Sequence, residues 1–320
     1  MNEHLQFDMD AEIARISETI RTALRSKLHR RGLVVAISGG IDSSVATALC
    51  VEAVGRNKVF GLLMPETESS SGSLERGTQL AEHLGINYIV QNIGETLVAI
   101  GCYSERDAAI RSVFPDYEGD WKNKIVITGG LDGAINHFNL VVQNPAGQMF
   151  TETLPVKEYL AIVAATNYKQ RIRKTIEYFH ADRLNYAVVG TPNRLEYDQG
   201  FFVKNGDGAA DIKPIAHLYK SQVYALARHM GLPEEICSAV PTTDTYTLEQ
   251  GQDEFYFALP YQQMDIALYL FNRGSDVREL ADEIGVSEEA ATNVYRDIQA
   301  KRRTTVYQHH RPILMQDIVL

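Results

Sequence analysis

The chain has 320 residues, of which 45% are apolar and 22% are charged. A chain of this length and composition can bury one large core or two modest ones. Its formal charge of −10 argues against a general nucleic-acid-binding surface. The N-terminal segment lacks the basic-then-apolar pattern of an export signal, and no run of about 18 apolar residues predicts a membrane span. We therefore expect a cytoplasmic protein that binds neither nucleic acid nor membrane.

The cysteines do not form a recognisable chemical motif. Cys50, Cys102 and Cys237 lie far apart, and none belongs to a C-x-x-C pair. This spacing disfavours both a disulfide framework and a tetrathiolate zinc site. We expect three buried thiols.

Strand-like and helix-like segments alternate over the N-terminal two thirds of the chain. The predicted strands are Leu33–Ile37, Lys58–Met64, Asn87–Ile93 and Tyr186–Thr191. The predicted helices are Asp10–Leu28, Ser43–Val54, Ser73–Gly85 and Val156–Asp182. This alternation predicts an α/β, Rossmann-like fold, in which helices flank a doubly wound parallel sheet.

Two regions depart from that alternation. Within residues 94–155, β-rich runs flank the turn-like segment Asn144–Gly147, which predicts a β-hairpin-bearing insertion. After Pro260, helical patterns follow each other across short turns, so residues 261–320 are predicted to be a helical C-terminal region. The last two of these patterns resemble a helix-turn-helix, but the acidic chain favours a packing role. Because the sequence contains no repeat and no low-complexity linker, we expect a single domain over residues 1–320.

The segment Val34–Val45, "VVAISGGIDSSV", joins the first predicted strand to the next helix. Such a junction lies at the carboxyl edge of a parallel sheet, where these sheets bind ligands. Gly39 and Gly40 would let the backbone approach a ligand, and the amides at the helix start favour an anion. A plain connecting turn, with Ser43 and Asp42 as caps, is the alternative. Asp42 favours binding, because a carboxylate beside a phosphate is reasonable when a cation such as Mg²⁺ lies between them.

The motifs now support a resemblance to a known family. "SGGIDSS" resembles the S-G-G-x-D-S pyrophosphate loop of ATP-dependent ligases that adenylate a substrate. The segment Gly190–Pro233 is similar to the long signature of the NAD synthetases, with its threonine, glutamate, lysines and aspartates in the same order and spacing. Further matches follow in the expected order at Asn167–Arg173, Val240–Thr245, Asp253–Asp265 and His309–Arg311. The chain thus resembles the ammonia-dependent NAD synthetases, which have an adenine nucleotide alpha-hydrolase-like fold within the ATP pyrophosphatase superfamily.

This resemblance implies an AMP-forming carbon–nitrogen ligase with ATP as co-substrate and Mg²⁺ as cofactor. The nicotinate carboxylate of deamido-NAD would attack the α-phosphate of ATP, and ammonia would then displace AMP from the acyl adenylate to give NAD. Glutamine-dependent relatives carry an amidase domain ahead of the synthetase part, and the roughly thirty residues before the loop are too few for one. We therefore expect free ammonia or a separate ammonia-supplying partner, no N-terminal glutaminase domain, and a homodimer like that of most family members.

The resemblance also implies roles for individual residues. Those expected to bind ATP are Ser38, Gly39, Gly40, Ile41, Asp42, Ser43, Ser44, Thr191, Lys220 and Thr242. Those expected to contact deamido-NAD are Arg171, Lys204, Asp211, His309 and His310. Asp42 and Glu196 are the expected metal ligands, and Asp42 and Lys220 the expected catalytic residues. On residue type alone, lone lysines are most often solvated and a helix-start glutamate is commonly a cap.

Two other functions remain open at this point. His310, Thr245 and Ala258 differ from the residues usual in the family, which leaves a related enzyme that amidates a different carboxylate. The second is a nucleotide-binding module without catalysis, although such a module would not need both Asp42 and Glu196. A tRNA-modifying ATP pyrophosphatase is disfavoured, because the chain has neither a catalytic cysteine pair nor a basic extension.

Overall fold

The computed structural model describes residues 2–128, 137–239, 246–248, 256, 259–316 and 318. The strands in these residues are β1 (Leu33–Ala36), β2 (Val59–Leu63), β3 (Asn87–Val90), β4 (Lys122–Thr128), β5 (His137–Gln143), β6 (Met149–Thr153) and β7 (Ala187–Val189).

The helices in the first half of the chain are α1 (Met9–Ala23), α2 (Ile41–Val54), α3 (Ser71–Leu84), α4 (Gly94–Ala99), α5 (Cys102–Arg111) and α6 (Val156–Leu184). Those that follow are α7 (Arg194–Gln199), α8 (Lys220–His229), α9 (Glu234–Cys237), α10 (Tyr261–Arg273), α11 (Val277–Ile284) and α12 (Glu288–His309). Short 3₁₀ turns lie at Glu3–Leu5 and Arg56–Lys58, and a π-helical turn at Leu24–Leu28 continues α1.

The central sheet is parallel and has the strand order β3-β2-β1-β7. These are the four strands that the sequence predicts, each trimmed by a few residues at its ends. From β1 the chain builds outward through β2 to β3 and then returns to the other side of β1, where β7 lies. Ligands of doubly wound sheets bind at the carboxyl ends of the strands where the order reverses. That position lies between the ends of β1 and β7.

The middle of the sheet is buried on both faces, which explains why its strands are continuous apolar runs. Leu33 and Val35 belong to the hydrophobic cluster that includes α1, α2 and α8, whereas Val34 belongs to the cluster on the α6 side. All three side chains are fully buried. The predicted α/β, doubly wound fold is confirmed.

The insertion contains more structure than a hairpin. The turn after β5 is closed by Asn144 N, which donates to Gln148 O at 3.0 Å, and Gly147 has a φ of 82°. This is the predicted hairpin, and β4 adds a third antiparallel strand, in the order β4-β5-β6. The helices α4 and α5 precede the sheet, and the sequence reasoning did not predict them.

Buried ion pairs fasten α6 to the chain that follows β2. The Lys169 Nζ atom donates to Glu66 Oε1 at 3.0 Å and to Glu68 Oε2 at 2.7 Å. Glu68 also accepts from Arg106 of α5 at 2.6 Å, so the inserted helices join the same network. One turn later on α6, Arg173 Nε donates to the Met64 carbonyl at 3.3 Å. The insertion is thereby fixed to the carboxyl edge of the parallel sheet.

The C-terminal helices form a hydrophobic cluster of their own. Met264 and Leu268 of α10, Leu280 of α11 and Ile298 of α12 are buried in it, together with Leu195 of α7. The predicted helical C-terminal region is present, and its last helix ends at His309. Residues 310–316 and 318 are not helical. The cluster brings α7, which follows β7, against α12.

Two further expectations concern the chain as a whole. Cys50, Cys102 and Cys237 are free, buried thiols, as predicted. Among the residues that the structure describes, every helix is too short or too polar to cross a membrane.

Candidate active site

The turn after β1 depends on the backbone freedom of glycine. Gly39 has a φ of 77°, and a Cβ atom there would lie 2.2 Å from the carbonyl oxygen of Ser73. Arg76 Nε donates to the Gly39 carbonyl at 3.1 Å, so a side chain of α3 holds the turn in place. Neither the conformation nor the space admits a side chain at this position. The turn can therefore bring bare backbone to the start of α2.

The serines of the loop shape the turn with their own hydroxyl groups. Ser43 Oγ and Ser44 Oγ donate to the Gly40 carbonyl at 3.0 and 2.9 Å, and Ser38 N donates to Ser43 Oγ at 3.2 Å. Ser43 and Ser44 are buried, as is Ile41, whereas Ser38 is exposed. Gly40 is the N-cap of α2 and offers no side-chain acceptor, so the first amides of the helix remain available for an anion.

Asp42, in the first turn of α2, meets residues that follow β7. Its Oδ2 atom accepts from the buried Nζ of Lys220, and its Oδ1 atom accepts from Asn193 Nδ2 at 3.2 Å. Asn193 is also the N-cap of α7, where its side chain accepts from Glu196 N and Glu196 Oε2 accepts from Asn193 N at 3.1 Å. The structure thus brings together three predicted residues, Asp42, Glu196 and Lys220, at the reversal of the sheet.

Lys220 is held in its charged form. Burial alone would lower the pKa of this lysine, but the carboxylates of Asp42 and Glu196 raise it above its ordinary value. Its side chain is only 2% exposed, so the ammonium group has little access to water. A permanent positive charge therefore lies beside the amides at the start of α2.

The same carboxylates suit a magnesium ion. Each oxygen of Asp42 accepts one hydrogen bond, which leaves lone pairs for a metal, and Glu196 acts on the same lysine. In the described part of the chain, no group of three or more His, Cys, Asp or Glu residues is arranged to hold a metal by itself. Magnesium in phosphate-transferring sites usually takes one or two protein carboxylates and completes its shell with substrate phosphates and water. The donor set fits that pattern.

A second group of predicted residues lies where the loop after α7 meets α6 and α12. Arg171 Nε donates to the Lys204 carbonyl at 3.3 Å. Lys204 Nζ donates to the carbonyls of Tyr307 at 2.9 Å and His310 at 3.5 Å, and lies 5.3 Å from the centre of the Tyr307 ring. Arg171, Lys204 and His310 are therefore neighbours. The contact of His310 is made by its backbone carbonyl.

His309 packs in an aromatic cluster next to this group. Its ring lies 4.9 Å from that of Tyr197 and 5.1 Å from that of Phe202, edge-on to both. The ammonium of Lys213 lies 4.7 Å from the centre of the Tyr197 ring. Burial, with the charge of Lys213, lowers the pKa of His309, so its imidazole is neutral at pH 7. His309 offers an apolar, uncharged face in this position.

The remaining predicted residues have different surroundings. Asp211 Oδ2 accepts from Val188 N at 2.7 Å, so this carboxylate holds the edge of β7. Thr191 follows β7 by two residues, at the same end of the sheet as Asp42. Thr242 lies outside the described residues, as do Thr245 and Ala258.

Comparison with known proteins shows the family of this chain. A model of the NAD synthase family matches residues 12–112 and 134–306. The chain belongs to the NAD synthase family. It is 56% identical over 315 residues to a protein of Rhizobium meliloti named NH(3)-dependent NAD(+) synthetase, a match that covers 98% of this chain and 94% of the relative. A Thermotoga maritima protein of the same name is 36% identical over 267 residues, covering 82% of this chain and 89% of its own length.

Solved structures agree on the fold of this NAD synthase family member. The NMN synthetase of Francisella tularensis superposes with a TM-score of 0.66 at 22% identity, over 97% of this chain and 99% of that chain. The NH3-dependent NAD synthetase of Campylobacter jejuni gives a TM-score of 0.63 at 20% identity, over 97% and 100% of the two chains. The family and the fold that the sequence predicts are confirmed.

In this family member the two groups of residues are joined by α7. Asn193 and Glu196, at its start, lie beside Asp42, whereas Tyr197 packs against His309. Asp198 accepts from Arg302 of α12 at 2.5 and 2.7 Å. One short helix thus fixes the group of Asp42, Glu196 and Lys220 relative to α12.

Sequence reasoning overlooked Asn193, Tyr197 and Lys213 as site residues. Asn193 carried a usable signal, because an asparagine three residues before a glutamate after a strand is typical of a helix cap. Lys213 carried none, because its position over two aromatic rings depends on the closure of the loop after α7.

Proposed function

We propose that this protein is an ammonia-dependent NAD synthetase. ATP would adenylate the nicotinate carboxylate of deamido-NAD, and ammonia would displace AMP to form NAD. The observation that carries this proposal is the buried Lys220 ammonium beside Asp42 and Glu196, next to the glycine turn of Ser38–Ser44. The name shared by the relatives at 56% and 53% identity supports the choice of substrate and nitrogen donor.

ATP would bind with its phosphates at the start of α2. The first amides of this helix and the glycine turn offer donors for the pyrophosphate that leaves, and the helix N-terminus favours its charge. Attack of a carboxylate on the α-phosphate brings two anions together. Lys220 offsets this repulsion with a charge that is already in place and has lost its water, which is the most effective form of electrostatic stabilisation.

Asp42 and Glu196 would hold Mg²⁺, which would neutralise phosphate charge in the bound nucleotide. Asn193 orients both carboxylates, since it donates to Asp42 through its side chain and to Glu196 through its backbone. The chain would therefore present the two carboxylates in a fixed relation. Thr191 and Thr242 would make further contacts to ATP.

Deamido-NAD would bind between α6, the loop after α7 and the end of α12. Arg171 and Lys204 supply positive charge for its phosphates, and the aromatic cluster of Tyr197, Phe202 and His309 offers a flat apolar surface for a ring. We assign the backbone of His310 to this surface as well. Asp211 would shape the surface through its contact with β7.

Three properties of the working enzyme belong to the same proposal. We infer that ammonia arrives free or from a separate protein, because burial raises the thiol pKa of Cys50, Cys102 and Cys237 and disfavours each of them as a glutaminase nucleophile. We infer a homodimer, which would cover exposed apolar side chains of α6 such as Leu160 and Phe179. A cytoplasmic location agrees with the buried free thiols.

The decisive experiment supplies purified protein with ATP, Mg²⁺, ammonium and deamido-NAD and measures pyrophosphate, AMP and NAD. We expect the three products in equal amounts, and no NAD when glutamine replaces ammonium. Pyrophosphate release with nicotinate mononucleotide or another acid, but not with deamido-NAD, would favour an enzyme for a different carboxylate. If no acid supports ATP turnover, the ligase function is refuted.

A further inference from the structure

The first turn of α8, which carries Lys220, is capped only in part by its own residues. Gln222 Oε1 accepts from Tyr219 N at 3.0 Å, but this contact leaves the amides of Lys220 and Ser221 to be satisfied from elsewhere. The N-cap position is Tyr219, and tyrosine is not among the residues that commonly cap a helix. The first amides of a helix have no partner within the helix and must be satisfied in another way. In α8 the partner comes from α10, in the C-terminal helical region.

That partner is the carboxylate of Asp265. Its Oδ1 atom accepts from Lys220 N at 3.1 Å, and its Oδ2 atom accepts from Ser221 N at 2.7 Å and from Ser221 Oγ at 2.6 Å. Asp265 is fully buried. A buried carboxylate with three donors on two successive residues fixes both the direction and the position of the helix start.

Asp265 is itself held rigidly. Its neighbours Met264 and Ile266 are buried in the hydrophobic cluster of the C-terminal helices, and that cluster also includes Leu195 of α7. The position of Lys220 is therefore set from α10, while the position of Glu196 is set from α7. Both elements pack in the same cluster, which ties the lysine and the carboxylate to one rigid body.

We propose that Asp265 is a positioning residue for Lys220, which places the lysine ammonium where the phosphates of ATP would bind. This proposal rests on the function proposed above, in which Lys220 meets ATP. Among the described residues, Asp265 makes no hydrogen bond to Asp42, which pairs with the Lys220 ammonium, and none to the glycine turn. It acts through the backbone of the residue that does.

Asp265→Asn is the sharpest substitution, because it keeps the shape and removes one acceptor. Whichever way the amide is turned, its NH₂ group faces an N–H donor of Lys220 or Ser221. The helix start must then shift, and a displacement of about 1 Å at a catalytic group can cost about 100-fold in rate. We expect kcat/KM for ATP to fall about 10- to 100-fold, with the KM for deamido-NAD unchanged.

Asp276→Asn is the matched control. Asp276 is also an aspartate that caps a helix, accepting from Glu279 N of α11 at 2.9 Å, but it lies at the surface and its helix carries no site residue. Asp265→Asn should lower the melting temperature, whereas Asp276→Asn should change it little, because asparagine caps a helix as well as aspartate. Only Asp265→Asn should weaken binding of ATP, measured by calorimetry without deamido-NAD, and slow pyrophosphate release per folded molecule.

The binding measurement separates this proposal from the proposed reaction. If the wild type binds ATP but makes no NAD, weaker ATP binding by Asp265→Asn still supports the positioning role while the reaction is refuted. If Asp265→Asn and Asp276→Asn lower activity only in proportion to the folded fraction, Asp265 is a structural cap and the proposal is wrong.

A milder variant decides the matter if Asp265→Asn does not fold. Ser221→Ala removes one of the three hydrogen bonds and leaves both backbone donors in place. One hydrogen bond of ordinary net strength corresponds to a roughly 2- to 12-fold change in an equilibrium constant, so we expect an ATP affinity lowered by about that factor. Wild-type affinity in Ser221→Ala would overturn the proposal.

Discussion

Breaking the ion pair between Asp42 and Lys220 from its two sides should have unequal effects on stability. The Lys220 side chain is 2% exposed and the Asp42 side chain is 17% exposed. Asp42→Asn would leave a buried ammonium, and removal of one partner of a buried pair costs about 3–5 kcal/mol. Lys220→Met would leave a carboxylate that reaches solvent and keeps the donor Asn193, so we expect a loss of about 1–2 kcal/mol.

The double variant tests the same reasoning more stringently. In the variant that combines Asp42→Asn with Lys220→Met, neither charge of the pair remains. Replacing both members of a buried ion pair by uncharged residues often changes stability little. We expect the double variant to be more stable than Asp42→Asn alone. Urea unfolding of the four proteins, with ΔG extrapolated linearly to water, gives the coupling free energy.

Activity should follow a different pattern from stability. Lys220→Met and the double variant lose the preformed positive charge, whereas Asp42→Asn loses a carboxylate proposed to hold Mg²⁺. Removing one such group typically costs about 100- to 1,000-fold in kcat. Pyrophosphate release measures this loss. Additive effects on stability, or an Asp42→Asn variant at least as stable as Lys220→Met, would show that the pair does not stabilise the fold as its burial requires.

Three other predictions concern the turn, the insertion and pH. Gly39→Ala should abolish ATP binding in calorimetry, because the added methyl group would lie 2.2 Å from a carbonyl of α3. Gly147→Ala has open space, so in thermal melting it should lose only about 1–2 kcal/mol of stability, from its positive φ. Lys169→Met leaves Glu66 buried without its cationic partner, so the free energy of unfolding should fall by about 3–5 kcal/mol in urea titrations. Burial raises the pKa of Asp265 to about 6, so the folded state favours the protonated carboxyl. This contribution to stability is greatest below the unfolded pKa and is lost as pH rises through 6. Between pH 4 and 7 the free energy of unfolding of the wild type should therefore fall by about 2 kcal/mol relative to Asp265→Asn.

Each of these predictions has a result that contradicts it. Equal losses in the two glycine variants would mean that α3 yields to the added methyl group. An unchanged unfolding midpoint in Lys169→Met would mean that water reaches the carboxylates. Parallel pH profiles for the wild type and Asp265→Asn would mean that this carboxyl does not titrate in that range.

The parallel sheet and the glycine turn could be predicted, because neighbouring residues in the sequence carry their signals. β1 and β2 are apolar runs because both of their faces are buried. Asp42 and Glu196 each follow a strand closely, and the carboxyl ends of parallel strands meet at one edge. Their proximity to Lys220 therefore follows from the order of strands and from the signature around Glu196.

The supporting residues could not be predicted, because their partners lie far away in sequence. Asp265 caps a helix that begins 45 residues earlier in the chain, and Lys169 pairs with Glu66 across 103 residues. No pattern of neighbouring residues encodes such pairs. The hairpin turn Asn144–Gly147 was predictable from its own residues, whereas α4 and α5 depend on packing against α6.

The shortness of α7 sets a limit on how this chain can vary in evolution. Its N-cap and six residues direct Asn193 and Glu196 to the group around Asp42, and Tyr197 and Asp198 to contacts with α12. One inserted residue would rotate the second set by about 100° relative to the first. Residues 113–133, in contrast, lie outside the family match and carry none of the contacts of either cluster in their described part. A change of length within residues 113–133 would leave both groups of residues in place, whereas the distance from Asn193 to Asp198 must stay as it is.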